Sequence, residues 1–282
     1  MGRNFVILFE EKEGSTPIVR LLDNFNAIDI VHQVSNIGWE PFDLHCCGPI
    51  SMRNYLRCLE LIYSDQTPYM QELNRIYTAT APHPLQPFDK GKSVGFKMRL
   101  RPQRTTEWLR RVLKPAFTHY SINRFRANDV VVFVTVRQDV FRWALSKYHG
   151  DGTGRPGHLQ FKLAKGKIDR SQIPKTHVDL NAFGRLLERC ERQIMLKRRL
   201  IARLNRNGVT AWPMLYESFC NDKRGFFAEV LSRLELPLPE HGITAALEKG
   251  TRFQKVHGHD VREFVVNADD VMEEFGERYV SW

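Results

Sequence analysis

The first candidate ligand-binding residues lie in a turn near the amino terminus. Phe5–Phe9 is a continuous apolar run, as expected for a strand buried on both faces of a parallel sheet. The loop Lys12-Glu13-Gly14-Ser15-Thr16 follows, and apolar residues at helical spacing start at Ile18. Such a turn offers backbone N–H groups and a positive helix end to an anion. It predicts a phosphate cradle, but not a nucleoside triphosphate loop, because it lacks the pattern G-x-x-x-x-G-K-[ST].

A second strand-to-helix junction carries an arginine and a serine. Val130–Val136 is the strongest strand pattern of the chain and is predicted to be a central strand. It ends at Arg137, and the predicted helix that follows carries Ser146. Arginine can pair a phosphate in two places, and serine adds a neutral donor. Arg142 is the alternative donor, and pairing with Asp139 is the structural alternative for either arginine.

Both junctions resemble the cofactor motifs of the sulfotransferase superfamily. The first is in register with the family's 5′-phosphosulfate loop, and the second is similar to its 3′-phosphate site. The resemblance implies 3′-phosphoadenosine 5′-phosphosulfate (PAPS) as the sulfuryl donor, with Lys12 stabilising the leaving phosphate as a catalytic residue. The Lys255-Val256-His257-Gly258 segment resembles the family's C-terminal basic loop. The implied cofactor-binding residues are Lys12, Glu13, Gly14, Ser15, Thr16, Arg137, Ser146 and Lys255.

Two positions depart from the family pattern. Glu13 stands where the family usually has a serine, and Gln138 rather than Arg137 lies eight residues before Ser146. A carboxylate about 4 Å from a phosphate costs about 1 kcal/mol in water and about 4 kcal/mol at an effective dielectric constant of 20. The match therefore requires the Glu13 side chain to point away from the anion. The alternative for this loop is an ordinary turn with a hydroxyl cap.

Glu40 is the candidate catalytic base. The segment around it resembles the Glu-Pro segment of carbohydrate sulfotransferases, where the glutamate acts on the acceptor. Trp39 and Phe42 would raise the pKa of Glu40 and suit a sugar ring. His32 and His45 are rival bases, because the ordinary pKa of histidine is nearer to neutrality.

Strands and helices alternate along the chain, which predicts a three-layer α/β fold. A mostly parallel central sheet would be flanked by helices, with the ligand site at the carboxyl ends of the strands. The resemblance makes this a P-loop-like sulfotransferase fold, in a single domain over residues 1–282. Further strands are predicted at 94–98 and 209–215, and helices at 139–149 and 181–205.

The amino-acid composition limits the classes of ligand and partner that we expect. A formal net charge of +10 favours an anionic ligand, and the basic run 197–206 is interpreted as a solvated helix face. Five cysteines without paired spacing, and histidines without ligand spacing, predict neither a disulfide framework nor a metal site. No membrane span or secretory signal is predicted, so we expect a cytoplasmic protein. The sequence does not indicate an oligomeric state.

These observations predict a PAPS-dependent sulfotransferase that acts on an acceptor hydroxyl, on a carbohydrate or small molecule. No nucleic-acid partner is expected. One alternative is a nucleic-acid-binding protein, because of the basic helix 185–206, although no recognised binding motif supports it. The other is a catalytically degenerate member of the superfamily, which Glu13 and Gln138 make credible.

Overall fold

A five-stranded parallel sheet forms the centre of the computed structural model. The structure describes residues 2–10, 12–25, 28–30, 92–99, 121–152, 166, 169, 174–237, 240–249, 260–276 and 278–282. The spatial order of the strands is β2-β3-β1-β4-β5, and each neighbouring pair is parallel. The strands are β1 (Phe5–Phe9), β2 (Ile28–Ile30), β3 (Ser93–Arg99), β4 (Val131–Val136) and β5 (Ala211–Leu215).

Helices connect these strands and follow the last one. A short 3₁₀ turn covers Val261–Glu263, and residues 121–127 are helical ahead of β4. The α-helices are α1 (Ser15–Leu22), α2 (Val140–Gly152), α3 (Leu180–Arg206), α4 (Tyr216–Asn221), α5 (Lys223–Arg233), α6 (Glu240–Glu248) and α7 (Ala268–Phe275).

Two hydrophobic cores lie on opposite faces of the sheet. Val131 and Phe133 of β4 belong to the core that α1, α4, α5 and α6 cover, whereas Val136 belongs to the core of α2, α3 and α7. Successive residues of a strand point to opposite faces, so odd and even positions of β4 serve different cores. The predicted fold class, a parallel sheet between two helical layers, is confirmed.

The strongest strand pattern lies in the interior of the sheet, as predicted. β4 is buried along its whole length and has a neighbour on each side, and β1 is the middle strand of the sheet. Sequence pattern reports burial on both faces, which every interior strand shares, and does not report strand order. None of the helices in the described part of the chain is long and apolar enough to cross a membrane.

Candidate active site

The β1–α1 loop has an unusual backbone. Lys12 and Gly14 have φ angles of 64° and 78°, in the left-handed region that residues with side chains rarely adopt. Gly14 occupies the N-cap position of α1, and no side chain caps the helix start in the described structure. The first turn of α1 also holds no acidic residue. The start of α1 therefore offers backbone N–H groups and a positive helix end to an anion.

Gly14 is required by packing as well as by backbone conformation. A Cβ at this position would lie 2.2 Å from the Tyr216 ring, at the start of α4. That distance is well inside van der Waals contact, so any side chain would displace the ring or the loop. The close approach fixes the loop against the carboxyl end of β5.

The Glu13 side chain points into the protein and away from the helix start. One carboxylate oxygen accepts hydrogen bonds from the Thr135 hydroxyl at 2.7 Å and the Glu10 backbone N–H at 2.8 Å. The other oxygen pairs with the Lys197 ammonium, and both side chains of this ion pair are buried. Lys197 also donates to the Thr135 carbonyl at 2.7 Å. The Glu13 side chain thus points away from the helix start, as the resemblance to the phosphate loop requires. Glu13 could contact a ligand there only through its backbone.

Burial and pairing act in opposite directions on this ion pair. Burial raises the pKa of Glu13, and the Lys197 charge opposes that rise. Burial also lowers the pKa of Lys197, and Glu13 opposes that fall. Each group is therefore held in its charged form mainly by the other, and removal of one leaves the other without compensation.

Arg137 lies against the loop, at the carboxyl end of the strand next to β1. Its Nη1 donates to the Lys12 carbonyl at 3.1 Å, and its guanidinium lies 4.9 Å from the centroid of the Tyr216 ring. The Nε atom of Arg137 is buried and has no hydrogen-bond partner among the described residues. A buried donor without a partner is costly, and a bound phosphate would satisfy it. Burial raises the pKa of Tyr216 to about 12, although Arg137 opposes the shift.

Gln138 faces a different part of the protein. Its amide donates to the Val280 carbonyl at 3.3 Å and accepts from the Tyr279 hydroxyl at 2.8 Å. Gln138 therefore holds the C-terminal segment, and the basic residue beside the loop is Arg137. The basic residue beside the loop is therefore one position earlier in the chain than the family motif predicts.

Two carboxylates bind backbone N–H groups at the β4–α2 junction, one just before α2 and one in its first turn. Glu217 accepts hydrogen bonds from the backbone N–H groups of Gln138 at 3.1 Å and Asp139 at 3.0 Å. Asp139 in turn accepts from the Arg142 backbone N–H at 2.8 Å, and its carboxylate lies 3.2 Å from Arg142 Nε. Arg142 thus makes the structural pair with Asp139 that the sequence offered as an alternative.

Lys97 is a candidate site residue that sequence reasoning did not identify. It lies on β3 beside Ile7 of β1, and its Nζ donates to the Thr16 hydroxyl at 3.1 Å. The ammonium also lies 4.7 Å from the centroid of the Phe9 ring, and the side chain is buried. The available signal was a single cation inside an otherwise apolar strand, where its charge has to serve a buried partner or ligand.

Ser146 is the remaining predicted site residue that the structure describes. It is half-buried on α2 and makes no hydrogen bond to Arg137 within the described part of the chain. Glu40, Lys255 and the rival bases His32 and His45 lie outside the described residues. The described part of the chain contains no group of three or more His, Cys, Asp or Glu residues arranged to hold a metal ion.

Solved structures similar to the chain include three sulfotransferases, which are named for the superfamily that the two junctions resemble. Sulfotransferase STF9 from Mycobacterium avium is 11% identical, with 97% of this chain and 75% of that chain covered at a TM-score of 0.41. A sulfotransferase from Alicyclobacillus acidocaldarius is 14% identical, with 99% and 98% covered at a TM-score of 0.41.

The third is mouse sulfotransferase SULT7A1 in complex with PAP. It is 9% identical, with 96% of this chain and 83% of that chain covered, and its TM-score is 0.42. No family model and no curated protein sequence matches the chain.

Proposed function

We propose that this protein is a PAPS-dependent sulfotransferase that modifies a hydroxyl group of a carbohydrate or small metabolite. The observation that carries the proposal is the contact between the two junctions that are predicted to bind phosphate. Arg137, with its unsatisfied buried Nε, donates to the carbonyl of Lys12 in the loop that opens α1. PAPS carries anionic groups at its 5′ and 3′ positions, so its recognition needs two such elements close together.

Each element has a defined task in this proposal. The backbone N–H groups of Gly14, Ser15 and Thr16 and the positive end of α1 would hold the 5′-phosphosulfate. Lys12 would stabilise the charge that develops on the leaving phosphate, and Lys97 would orient the Thr16 hydroxyl. The 3′-phosphate would be bound by the side chains Arg137, Ser146 and Lys255.

The reaction is an in-line displacement at sulfur. The acceptor oxygen forms a bond to sulfur, while the bond from sulfur to the donor's phosphate oxygen breaks and its electron pair leaves with the phosphate. Glu40 would accept the proton of the acceptor hydroxyl. By analogy with phosphoryl transfer, the transition state is loose, so that positioning and charge stabilisation account for most of the catalysis.

Ligand binding tests the donor site directly. Calorimetry at moderate salt would compare 3′,5′-adenosine bisphosphate with 5′-AMP, for the wild type, Arg137→Ala and the control Arg142→Ala. We expect the wild type to prefer the bisphosphate by about 10- to 100-fold, the value of charge-assisted hydrogen bonds to one phosphate. Arg142→Ala should keep this preference, because Arg142 pairs with Asp139.

The two ligands separate two roles of Arg137. If it binds the 3′-phosphate, Arg137→Ala abolishes the preference for the bisphosphate. If it only supports the loop through Lys12, both ligands weaken by the same factor and the preference survives. A wild type that binds the two ligands equally would remove the basis of the proposal.

Transfer assays then separate an active enzyme from a degenerate one. Labelled sulfate from PAPS would be followed onto a panel of sugars and small hydroxyl compounds. We expect Lys12→Ala to abolish transfer without a large loss of stability, and Glu40→Gln to lower kcat while the dissociation constant for the bisphosphate stays within about threefold. Tight bisphosphate binding without transfer in the wild type would favour the degenerate alternative. Weaker bisphosphate binding with a normal kcat in Glu40→Gln would exclude Glu40 as the base.

A further inference from the structure

The outward face of α3 carries a continuous line of arginines. Seven exposed residues follow one another at alternating spacings of four and three, which keeps them within about a third of the helix circumference. Six of the seven are arginines. We call this line the arginine stripe, and its members are Arg185, Arg189, Arg192, Leu196, Arg199, Arg203 and Arg206.

The opposite face of α3 is buried against the rest of the domain. Leu187, Ile194 and Leu204 are buried in or near the second core, and Lys197 pairs with Glu13. Among the described elements the helix packs on α2, α7, β4 and β5, and every member of the arginine stripe is exposed. The stripe is therefore a property of the surface, and its arginines are not needed to neutralise the interior.

Little negative charge on α3 itself offsets the stripe. Glu191 is half-buried and lies 3.6 Å from Arg278, which is not part of the stripe, and the exposed Glu188 pairs with Arg192 at 3.3 Å. Both members of this pair are well exposed, so the pair contributes little and leaves the arginines accessible. The basic run that sequence analysis interpreted as solvated thus presents concentrated positive charge on one side of the domain.

We propose that the arginine stripe is a docking surface for an anionic lipid bilayer. The stripe spans about 32 Å, from its 21-residue length and the helical rise, and a straight line of side chains can contact a plane along its whole length. Leu196 and its neighbour Met195 lie near its midpoint and are 43% and 44% exposed. Apolar side chains between cations suit the boundary between lipid headgroups and acyl chains.

A duplex nucleic acid fits the same surface less well. A helix that reads DNA enters a major groove about 8.5 Å deep, whereas α3 packs on α2, α7, β4 and β5 along its other face. The exposed Leu196 and Met195 would also face phosphates and find no apolar partner. The inference rests on α3 alone and is independent of the proposed sulfotransferase activity.

Vesicle sedimentation of the full chain at physiological salt tests the proposal. Phosphatidylcholine vesicles would be compared with vesicles containing about one third phosphatidylserine, the anionic lipid class that attracts such surfaces. We expect binding only to the anionic vesicles. The triple variant Arg189→Gln, Arg199→Gln, Arg203→Gln should bind about 100-fold more weakly, since each arginine near the surface contributes about fivefold.

A matched control removes the same amount of charge elsewhere. Lys175, Arg224 and Lys249 are exposed and lie off α3, and their triple change to glutamine should weaken binding by less than about fivefold. Leu196→Ser should weaken vesicle binding severalfold with no change of charge. All of these substitutions are on exposed side chains, and thermal unfolding would verify that each variant is folded.

Three results would overturn the proposal. The first is wild-type binding that does not depend on phosphatidylserine, a result that needs no variant. The second is an equal loss in the stripe and control variants, which would mean that net charge alone is responsible. The third is displacement of the protein from vesicles by duplex DNA at a lower phosphate concentration than the lipid, which would assign the stripe to nucleic acid.

Discussion

The two strand-to-helix junctions treat the starts of their helices in opposite ways. At the β4–α2 junction, Glu217 accepts from the two backbone N–H groups just before α2, and Asp139 caps the first turn of the helix. At the β1–α1 junction, the nearby carboxylate of Glu13 turns inward onto Lys197, and no side chain caps the start of α1 in the described structure.

This difference indicates how each junction could bind a phosphate. A helix start that already holds a carboxylate has little attraction left for a second anion. A phosphate at the β4–α2 junction therefore has to be bound by side chains, such as Arg137 and Ser146. At the β1–α1 junction the backbone itself is available. Both junctions contain a carboxylate. The direction in which it points determines whether the backbone N–H groups are available to a phosphate.

The largest expected effect comes from breaking the buried pair. Lys197→Met leaves the Glu13 carboxylate buried without its counter-charge, which should lower the free energy of unfolding by about 3–5 kcal/mol. Urea titration measures this loss. The double variant Glu13→Gln, Lys197→Met removes both charges and should recover most of it. A single variant within about 1 kcal/mol of the wild type would mean that Lys197 does not hold Glu13 inward.

The next effect tests the packing of the β1–α1 loop. Gly14→Ala and Gly208→Ala place a side chain at nearly the same φ, 78° and 75°, but only the former meets another residue closely, the Tyr216 ring. Both variants carry the cost of a left-handed residue, about 1–2 kcal/mol. Gly14→Ala should lose about 1–3 kcal/mol more in urea unfolding, the usual cost of overpacking. Equal losses would show that the ring moves freely.

A smaller effect is expected when the carboxylate bound just before α2 is removed. Glu217→Ala leaves the backbone N–H groups of Gln138 and Asp139 without this partner and should cost about 1 kcal/mol of stability. Glu229→Ala is the control, because Glu229 is exposed and pairs with Arg233 one turn away; it should cost no more than about 0.5 kcal/mol. Thermal unfolding of both variants gives the comparison. Equal shifts would mean that the two hydrogen bonds of Glu217 do not stabilise the junction.

The smallest effect concerns the side chain proposed to bind at the second junction. Ser146→Ala removes a neutral donor and should raise the dissociation constant for 3′,5′-adenosine bisphosphate by about 2- to 10-fold. Binding of 5′-AMP should not change, and stability should stay within about 0.5 kcal/mol. Calorimetry with both ligands measures the difference. An equal loss for both ligands would place Ser146 outside the 3′-phosphate site.

Local patterns predicted much of the sheet and helices. Phe5–Phe9 was predicted at its observed bounds, and the long helix predicted over 181–205 is α3, Leu180–Arg206. These elements are defined by runs or periodicities that extend over many residues. Helix ends were less accurate, since α2 continues to Gly152, past the predicted end at 149. A glycine permits a helix to stop but does not force it to.

The electrostatic partners in the site were not predictable in the same way. Lys197 belonged to a basic run interpreted as solvated, but it is buried against Glu13. A signal existed, because Lys197 shares the helical phase of Ile194 and Leu204, both apolar. The sequence around Glu13 does not indicate that Lys197 is its partner, since the two residues are 184 positions apart. Pairing across that separation depends on the fold, and a charge pattern along the chain does not encode it.

That separation has a consequence for the order in which the protein is made. A ribosome releases β1, the loop and α1 long before α3, so the nascent loop carries Glu13 while its counter-ion is still unsynthesised. The carboxylate cannot be buried alone, and until residue 197 emerges it has to stay hydrated. The nascent chain therefore completes its proposed anion-binding loop late, although the loop is synthesised long before α3. Ligand binding by ribosome-bound chains of increasing length should begin only after α3 has been released.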